Sequence, residues 1–159
     1  MSTIEAPIGA AQTGKCAACG RERGAGIACQ FCGQLEGAPT SVHIASPGKR
    51  FGGYLLEGVL LVFTLAIGWL IWALIVFARG QTPAKQLLGM RVVKLRTGQR
   101  ASWGTMFLRE VIAKWIIGIL SFLTLGIVNF WLVWDKNNQE LWDKVVGTVV
   151  VNDPNKELL

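Results

Sequence analysis

The sequence QTPAKQLLGMRVV, residues 81–93, returns in altered form as QELWDKVVGTVVV, residues 139–151. Each copy begins with Gln, carries a charged residue and then a Gly at the same spacing, and ends in valines. A Gly that ends a helix, followed by β-branched residues, predicts a short helix and then a strand. The repeat positions are Gln81, Lys85 and Gly89 in the first copy and Gln139, Asp143 and Gly147 in the second. We therefore predict an internal duplication, residues 47–96 and 103–152, whose two strands pair with each other.

A long apolar segment precedes each copy, and 52% of the 159 residues are hydrophobic. The first segment, Phe51–Ala78, has Glu57 as its only charge, and the second is Thr105–Trp134. As one straight helix each would measure roughly 42–45 Å, compared with about 30 Å for the hydrocarbon core of a bilayer. The composition predicts membrane insertion, but each segment is long for one crossing and short for two.

Helix signals favour two crossings per segment. Ser46 and Pro47 are typical of a helix start, and the sequences TLAIG, residues 64–68, and TLGI, residues 124–127, predict breaks inside the segments. Helices over residues 47–65 and 127–146 would then measure roughly 28 and 30 Å, close to the bilayer thickness.

Charge placement favours the same arrangement. From Arg79 to Arg109 there are seven basic residues and no acid, a pattern typical of a cytosolic loop. We therefore predict an all-α membrane protein of two helical hairpins, that is, four membrane helices, with short β-strands at the cytosolic face. Two single spans are the alternative.

The four cysteines form two Cys-X-X-Cys-Gly pairs, at Cys16 and Cys19 and at Cys29 and Cys32. Two residues between the thiolates let a tight turn direct both sulfurs at one metal ion, and four thiolates saturate tetrahedral zinc. Disulfides, a redox pair and an iron–sulfur cluster are the alternatives. Zinc thiolates indicate a reducing compartment, and we expect this zinc ribbon to lie in the cytosol.

Composition divides the chain into four parts. We predict a zinc-ribbon module over residues 1–33, a flexible linker rich in Gly, Ala and Pro over 34–46, a membrane domain over 47–152 and a tail over 153–159.

Four blocks of the sequence resemble one family: GKRFGGYLLEG, GQTPAKQLLGMRVVKLRTGQRAS, FLREVIAKW and WDKNNQELWDKVVGTVVV. In this order they are similar to the RDD family of bacterial integral membrane proteins, named for one arginine and two aspartates. The resemblance assigns the arginine to Arg50 and the second aspartate to Asp143, while Glu57 replaces the first aspartate. It implies a bacterial integral membrane protein with no settled biochemical role. Together with the two predicted hairpins, this gives a multi-pass protein of the bacterial inner membrane with both termini in the cytosol.

The charged residues near the apolar segments have two interpretations. Arg50 and Glu57 share one face of the first helix, and Glu110 and Lys114 are one turn apart beside Arg109. They form either a pocket that handles cations or protons, or a structural ion-pair network between the two halves. If the repeat strands pair, Asp143 should lie next to Arg50 and Arg109.

Two function classes follow. The first is a membrane adaptor or accessory subunit that contacts anionic headgroups and a membrane or cytosolic protein, or a second copy of itself. The second is a transporter or cation/proton antiporter subunit. Enzyme activity is not expected, because the sequence has no Ser/His/Asp or Cys/His constellation. Nucleic acid is an unlikely ligand because the few charges of the ribbon are nearly balanced.

Overall fold

The computed structural model describes residues 14–24, 28–124, 126–127, 131–135 and 138–158. Parts of the predicted zinc-ribbon module, residues 1–13 and 25–27, lie outside the described residues, and so does Leu159 of the predicted tail.

A three-stranded antiparallel sheet lies at the centre of the fold, with the strand order β1-β3-β2. Its strands are β1 (His43–Ile44), β2 (Met90–Lys94) and β3 (Thr148–Asn152). The strands β2 and β3 are the valine runs of the two sequence copies, so the predicted pairing of the repeat is confirmed.

The register of this pairing is that of a two-fold repeat. Val92 pairs with Val150, and each is the third residue after the Gly of its own copy. The Gln that opens each copy makes the same contact: Nε2 of Gln81 donates to the carbonyl oxygen of Met90 over 2.9 Å, and Nε2 of Gln139 to that of Thr148 over 2.6 Å. A pseudo-two-fold axis therefore passes between Val92 and Val150.

In the first half, α1 (Pro47–Phe63) begins after Ser46, whose hydroxyl accepts the backbone N–H of Lys49 at 3.3 Å. The chain turns at Leu65 and Ala66, which have positive φ angles of 52° and 59°. The remaining helices are α2 (Ile67–Val76), a 3₁₀ turn (Phe77–Arg79) and α3 (Pro83–Leu87). The predicted break of the first apolar segment is present.

In the second half, α4 (Trp103–Phe107) runs through a π-helical turn (Leu108–Ala113) into α5 (Lys114–Leu123). Two short helices follow, α6 (Trp131–Trp134) and α7 (Leu141–Val146). The predicted helix over 127–146 is therefore wrong. Its interior contains Asp135, whose Oδ1 accepts the backbone N–H of Gln139 at 3.0 Å, and Asn138 with a positive φ of 50°, which together form a turn.

The prediction of two helical hairpins with four membrane helices is contradicted. In the part of the chain that the structure describes, no helix combines the length and the apolarity that crossing a bilayer requires. The apolar segments are interrupted at Thr64 and Thr124, whose hydroxyls donate to the carbonyl oxygens of Leu60 and Leu120. As a result α1 has 17 residues and α2 has 10, and α5, which continues from the π-helical turn, ends at Leu123. The all-α prediction is also wrong, because the sheet forms the core.

Both faces of the sheet are covered. On one face Val92 and Val150 pack with Phe77, Met90 and Met106. On the other, Val93, Val149 and Val151 pack with Leu35 and Val42. A sheet buried on two sides accounts for the unbroken valine runs, since alternation is expected only where one face meets water.

Residues 34–46 differ from the predicted flexible linker. Leu35 and Val42 are almost wholly buried against the sheet, and β1 pairs with β3. The small residues between them form turns rather than a spacer. The tail is also held, because Asp153 is buried and its Oδ2 lies 3.1 Å from Nε of Arg91 in β2.

Candidate functional site

Asp143 lies at the centre of a buried network of ion pairs. Arg50, in α1, donates to its Oδ2, and Nε of Arg109, in the π-helical turn, donates to its Oδ1 over 2.6 Å. The hydroxyl of Thr148 also donates to Oδ1, over 3.0 Å. The structure thus brings Asp143 into contact with both arginines that the sequence proposed as its partners, and Asp143 ties α1 and the π-helical turn to α7.

Glu140 is a second buried acid in this network. As the N-cap residue of α7 it forms a reciprocal capping box with Asp143. Its Oε2 also lies 2.8 Å from Nη2 of Arg50 and 3.7 Å from Nη2 of Arg109. Two carboxylates therefore face two guanidinium groups across the helix start.

Glu110 extends the network toward the first half of the chain. Its carboxylate contacts Arg109 and Lys114, and its Oε1 lies 3.6 Å from Nζ of Lys85. Lys85 and Asp143 hold the same position in the two copies of the repeat. The two copies thus contribute opposite charges to one network.

Glu57 joins the network through a hydroxyl. Its carboxylate accepts hydrogen bonds from Nε1 of Trp69, at 2.6 Å, and from Oγ1 of Thr82, at 2.7 Å. Nζ of Lys85 donates to the same hydroxyl over 3.3 Å. Glu57 and Arg50 were predicted to share a face of α1, but the structure gives Glu57 these other partners.

The network is balanced in charge and tightly closed. It combines four acids with four bases, namely Glu57, Glu110, Glu140 and Asp143 with Arg50, Lys85, Arg109 and Lys114. The cavity beside it, lined by Arg50, Tyr54, Lys85 and Glu140 among others, has a volume of about 10 Å³. This volume is sufficient for about one water molecule.

Burial and pairing shift the pKa values of these groups in opposite directions. Burial alone favours the neutral form of Asp143, but Arg109 and Arg50 outweigh it and hold the pKa of Asp143 well below its usual range. The pKa of Glu110 is likewise lowered because Lys114, Lys85 and Arg109 outweigh the effect of burial. Burial lowers the pKa of Lys85, and Glu110 only partly offsets this. Asp143 and Glu110 are therefore both held as carboxylates.

The four cysteines converge on one point, and none forms a disulfide. Sγ of Cys16 lies 3.5 Å from Sγ of Cys32, and Sγ of Cys19 lies 3.6 Å from Sγ of Cys29. A tetrahedron of thiolates about 2.3 Å from zinc has sulfur–sulfur edges of about 3.8 Å. The cluster thus has the size and donor set of a four-thiolate metal site.

Each Cys-X-X-Cys-Gly pair forms the same turn. The N–H groups of Gly20 and Gly33 donate to the carbonyl oxygens of Cys16 and Cys29 at 2.8 Å, and both glycines have φ near +70°. Backbone N–H groups outweigh burial and lower the pKa of Cys16 to about 6, and those of the second turn lower the pKa of Cys29. Burial raises the pKa of Cys32 to about 12. The turns thus favour the thiolate at the first cysteine of each pair.

The four-cysteine module is attached directly to the sheet. The N–H of Ile44, in β1, donates to the carbonyl oxygen of Gly33 over 2.7 Å, and Nδ1 of His43 lies 3.1 Å from the carbonyl oxygen of Cys32. Ile44 in turn pairs with Val151 of β3. The module and the repeat strands therefore share one hydrogen-bonded path.

The helices expose an extensive apolar surface. At the end of α1 Phe63 is 82% exposed, and at the end of α5 Phe122 is 85% exposed. Along α2 the exposed side chains include Ile67, Ile71 and Ile75. Many exposed apolar side chains on neighbouring helices are typical of contact with lipid or with another protein.

Sequence reasoning missed three parts of this arrangement. Glu140 was not singled out, although its position three residues before Asp143 has the spacing of a capping box. The ion pair between Arg91 and Asp153 joins residues far apart in the chain. The π-helical turn, which carries Arg109 and Glu110, has no sequence signature.

Comparison with known families places this arrangement in context. Residues 27–147 match the RDD family. The chain belongs to the RDD family. The matched range of this RDD protein includes Cys29 and Cys32, whereas Cys16 and Cys19 precede it. The family arginine and second aspartate, assigned to Arg50 and Asp143, are the pair at the centre of the network.

A protein of Haemophilus influenzae, described as uncharacterized, is 32% identical to this RDD protein over 132 residues. The similarity covers 72% of this chain and 82% of the relative. No solved structure matches the chain.

Proposed function

We propose that this RDD protein is a membrane-associated adaptor or accessory subunit. In this proposal the exposed apolar faces of α1, α2 and α5 contact lipid, and the sheet presents the four-cysteine module to a cytosolic or membrane protein. The observation that carries the proposal is the apolar surface of these helices, because leaving it in water would be costly. The membrane is that of a bacterium, as in the RDD family, and the module faces the reducing cytosol, where thiolates persist.

We propose zinc as the metal of the module. Cys16, Cys19, Cys29 and Cys32 would hold it, and zinc would supply a structural cross-link between the two turns. Four thiolates leave no open coordination position, which favours a structural role over a catalytic one. Since this metal would have a structural role, we also propose that the protein is not an enzyme.

The closed ion-pair network supports a structural role at the interface of the two halves. A transporter or antiporter subunit, the second candidate, needs a path along which an ion or proton can move. Lys85, with its lowered pKa, is the group that most favours it. The cavity of about 10 Å³ and the paired charges around it argue against such a path.

Vesicle flotation tests the membrane association. The purified protein should float with phosphatidylcholine vesicles, and Phe63→Asp combined with Phe122→Asp should lower the bound fraction at least about tenfold, since two exposed apolar side chains are replaced by charges. Gln30→Asp, on the exposed surface of the cysteine module, is the matched control and should float like the parent. Folded protein that stays in the dense fraction would disprove the association.

Proteoliposomes distinguish the two candidate functions. With a sodium or potassium gradient across the membrane, a pH-sensitive dye inside the vesicles should report no proton movement beyond that of empty vesicles. Movement that depends on the protein and disappears in Lys85→Met would establish the transporter and reject the adaptor.

A further inference from the structure

The basic residues of the acid-free stretch between Glu57 and Glu110 divide into two groups. Lys85, Arg91 and Arg109 are paired with buried acids. The other four are Arg79, Lys94, Arg96 and Arg100. Among the described residues, none of these four forms a salt bridge. The described part of the fold therefore leaves four basic side chains without an acidic partner.

Two of these cations line a groove of about 610 Å³. Lys94 and Arg100 lie on its wall, with Gln99, Ser102 and Trp103 beside them. The two chain segments of the wall are held together, since Val93 pairs with Arg100 and the N–H of Lys94 donates to the carbonyl oxygen of Gln99 over 2.8 Å. The volume is within the range of small-molecule sites, which is about 300–1,000 Å³.

Arg79 adds a third positive charge near the same groove. It follows Ala78, which lines the groove, and precedes Gly80, which packs against the backbone of Ala101. Side chains of both Arg79 and Arg100 are close enough to act electrostatically on Arg91. The positive charges thus come from two chain segments that the fold brings together.

The groove also adjoins the apolar surface. Trp103 stacks on Phe107 at 5.3 Å between ring centroids, and its Nε1 donates to the carbonyl oxygen of Leu74 in α2 over 3.0 Å. Leu74 belongs to the exposed apolar face of α2. If this face contacts lipid, Trp103 and the basic groove lie at the level of the headgroups, where tryptophan is enriched in membrane proteins.

We infer that this groove binds the anionic headgroup of a phospholipid, with Lys94 and Arg100 as the phosphate-binding residues and Arg79 as a supporting charge. The inference rests on the proposed membrane association and specifies its lipid. Charge complementarity and continuity with the apolar face favour a lipid headgroup over a soluble anion. Guanidinium and ammonium groups both bind phosphate, the former through paired donors.

The test compares flotation on two kinds of vesicle. The protein should bind vesicles containing 30% phosphatidylglycerol at least about tenfold more tightly than phosphatidylcholine vesicles, since each basic residue near an anionic surface contributes several-fold. Lys94→Gln combined with Arg100→Gln should remove most of this gain and leave binding to phosphatidylcholine unchanged. Lys94→Arg should keep it.

The matched control is Lys15→Gln combined with Lys49→Gln, which removes the same charge away from the groove and should change the gain less than about twofold. Equal loss in both double variants would overturn the inference and indicate net charge alone. Loss of the gain in 5 mM inorganic phosphate, but not in sodium chloride of equal ionic strength, would assign the groove to a soluble anion instead. Failure to bind phosphatidylcholine at all would reject the membrane association but not the groove. In that case, the same variants would be tested by titrating detergent-solubilised protein with short-chain phosphatidylglycerol.

Discussion

Asp143 compensates two buried guanidinium groups, so its removal leaves Arg50 and Arg109 with one carboxylate fewer. Asp143→Ala should destabilise the protein by about 3–5 kcal/mol, the usual cost of breaking a buried pair. Adding Arg50→Ala should restore part of this loss, because the network then returns to charge balance. Thermal unfolding in detergent measures both.

The control for this cycle is Glu22→Ala, which removes an exposed carboxylate and should change stability by less than about 0.5 kcal/mol. Additive effects of Asp143→Ala and Arg50→Ala would show that the two residues are not coupled. In that case the contact would be incidental to folding.

The lowered pKa of Asp143 also predicts how stability depends on pH. A carboxyl whose pKa is lower in the folded state stabilises fully above its unfolded pKa, close to 4, and loses that contribution as the pH falls toward the folded value. Unfolding between pH 5 and pH 2 should therefore become steadily easier. Asp143→Asn should show a shallower dependence over this window, and an identical dependence would mean that other acids determine it.

Among the structural elements, the turn between the 3₁₀ turn and α3 depends on Gly80. Its φ is +67°, and a Cβ at this position would lie 2.8 Å from the carbonyl oxygen of Val92 and 3.2 Å from the nitrogen of Ala101. Gly80→Ala should destabilise by about 1–3 kcal/mol through strain, with an added cost for the clash. Chemical denaturation measures the difference.

Gly147 provides a matched comparison at this scale. Its φ of +69° is nearly the same, but a Cβ there would meet nothing within 4 Å. Gly147→Ala should therefore report strain alone and cost less than Gly80→Ala. Equal costs would show that Val92 and Ala101 move aside without penalty.

The same elements show what the sequence could and could not predict. Spacing and propensity located the helix start at Ser46 and the break after Phe63, because both depend on local chemistry. The pairing of the valine runs followed from the internal repeat. The lengths of the helices, in contrast, could not be predicted from the local sequence. Hydrophobicity cannot distinguish a long membrane helix from short helices separated by turns when Thr, Asp and Asn supply side chains that bond the backbone.

The candidate site likewise has parts that the sequence predicted and parts that it did not. The two arginines beside Asp143 followed from strand pairing, and the four cysteines followed from their spacing. The contacts of Glu57 with Trp69 and Thr82 depend on how α1 packs on its neighbours, which no periodicity encodes. The packing of residues 34–46 on the sheet was missed because small turn residues resemble a linker.

At the scale of the whole molecule, the attachment of the cysteine module to β1 predicts how far the effect of metal removal on amide exchange extends. Chelation should release about one zinc per chain and speed amide exchange at Ile44, whose N–H bonds to Gly33. The amide of Val92 should keep its protection, because it donates to the carbonyl oxygen of Gly80 over 2.7 Å, on the side of β2 away from the module. Cys16→Ser should reproduce the effect, and Ser41→Ala, which removes only the hydrogen bond from its hydroxyl to Glu157, should not.

Loss of protection at Val92 together with Ile44 would show that module and sheet unfold as one unit. Unchanged exchange at Ile44 after complete removal of the metal would instead separate the module from the sheet altogether.

The axis between Val92 and Val150 has a consequence for the opposite charges at Lys85 and Asp143. Two identical half-length chains joined across this axis would carry the same residue at both positions, and thus two like charges near one another. A fused gene is free of that constraint, since each half can change alone. Opposite charges at these two equivalent positions are therefore an arrangement that a symmetric pair of identical half-length chains could not have.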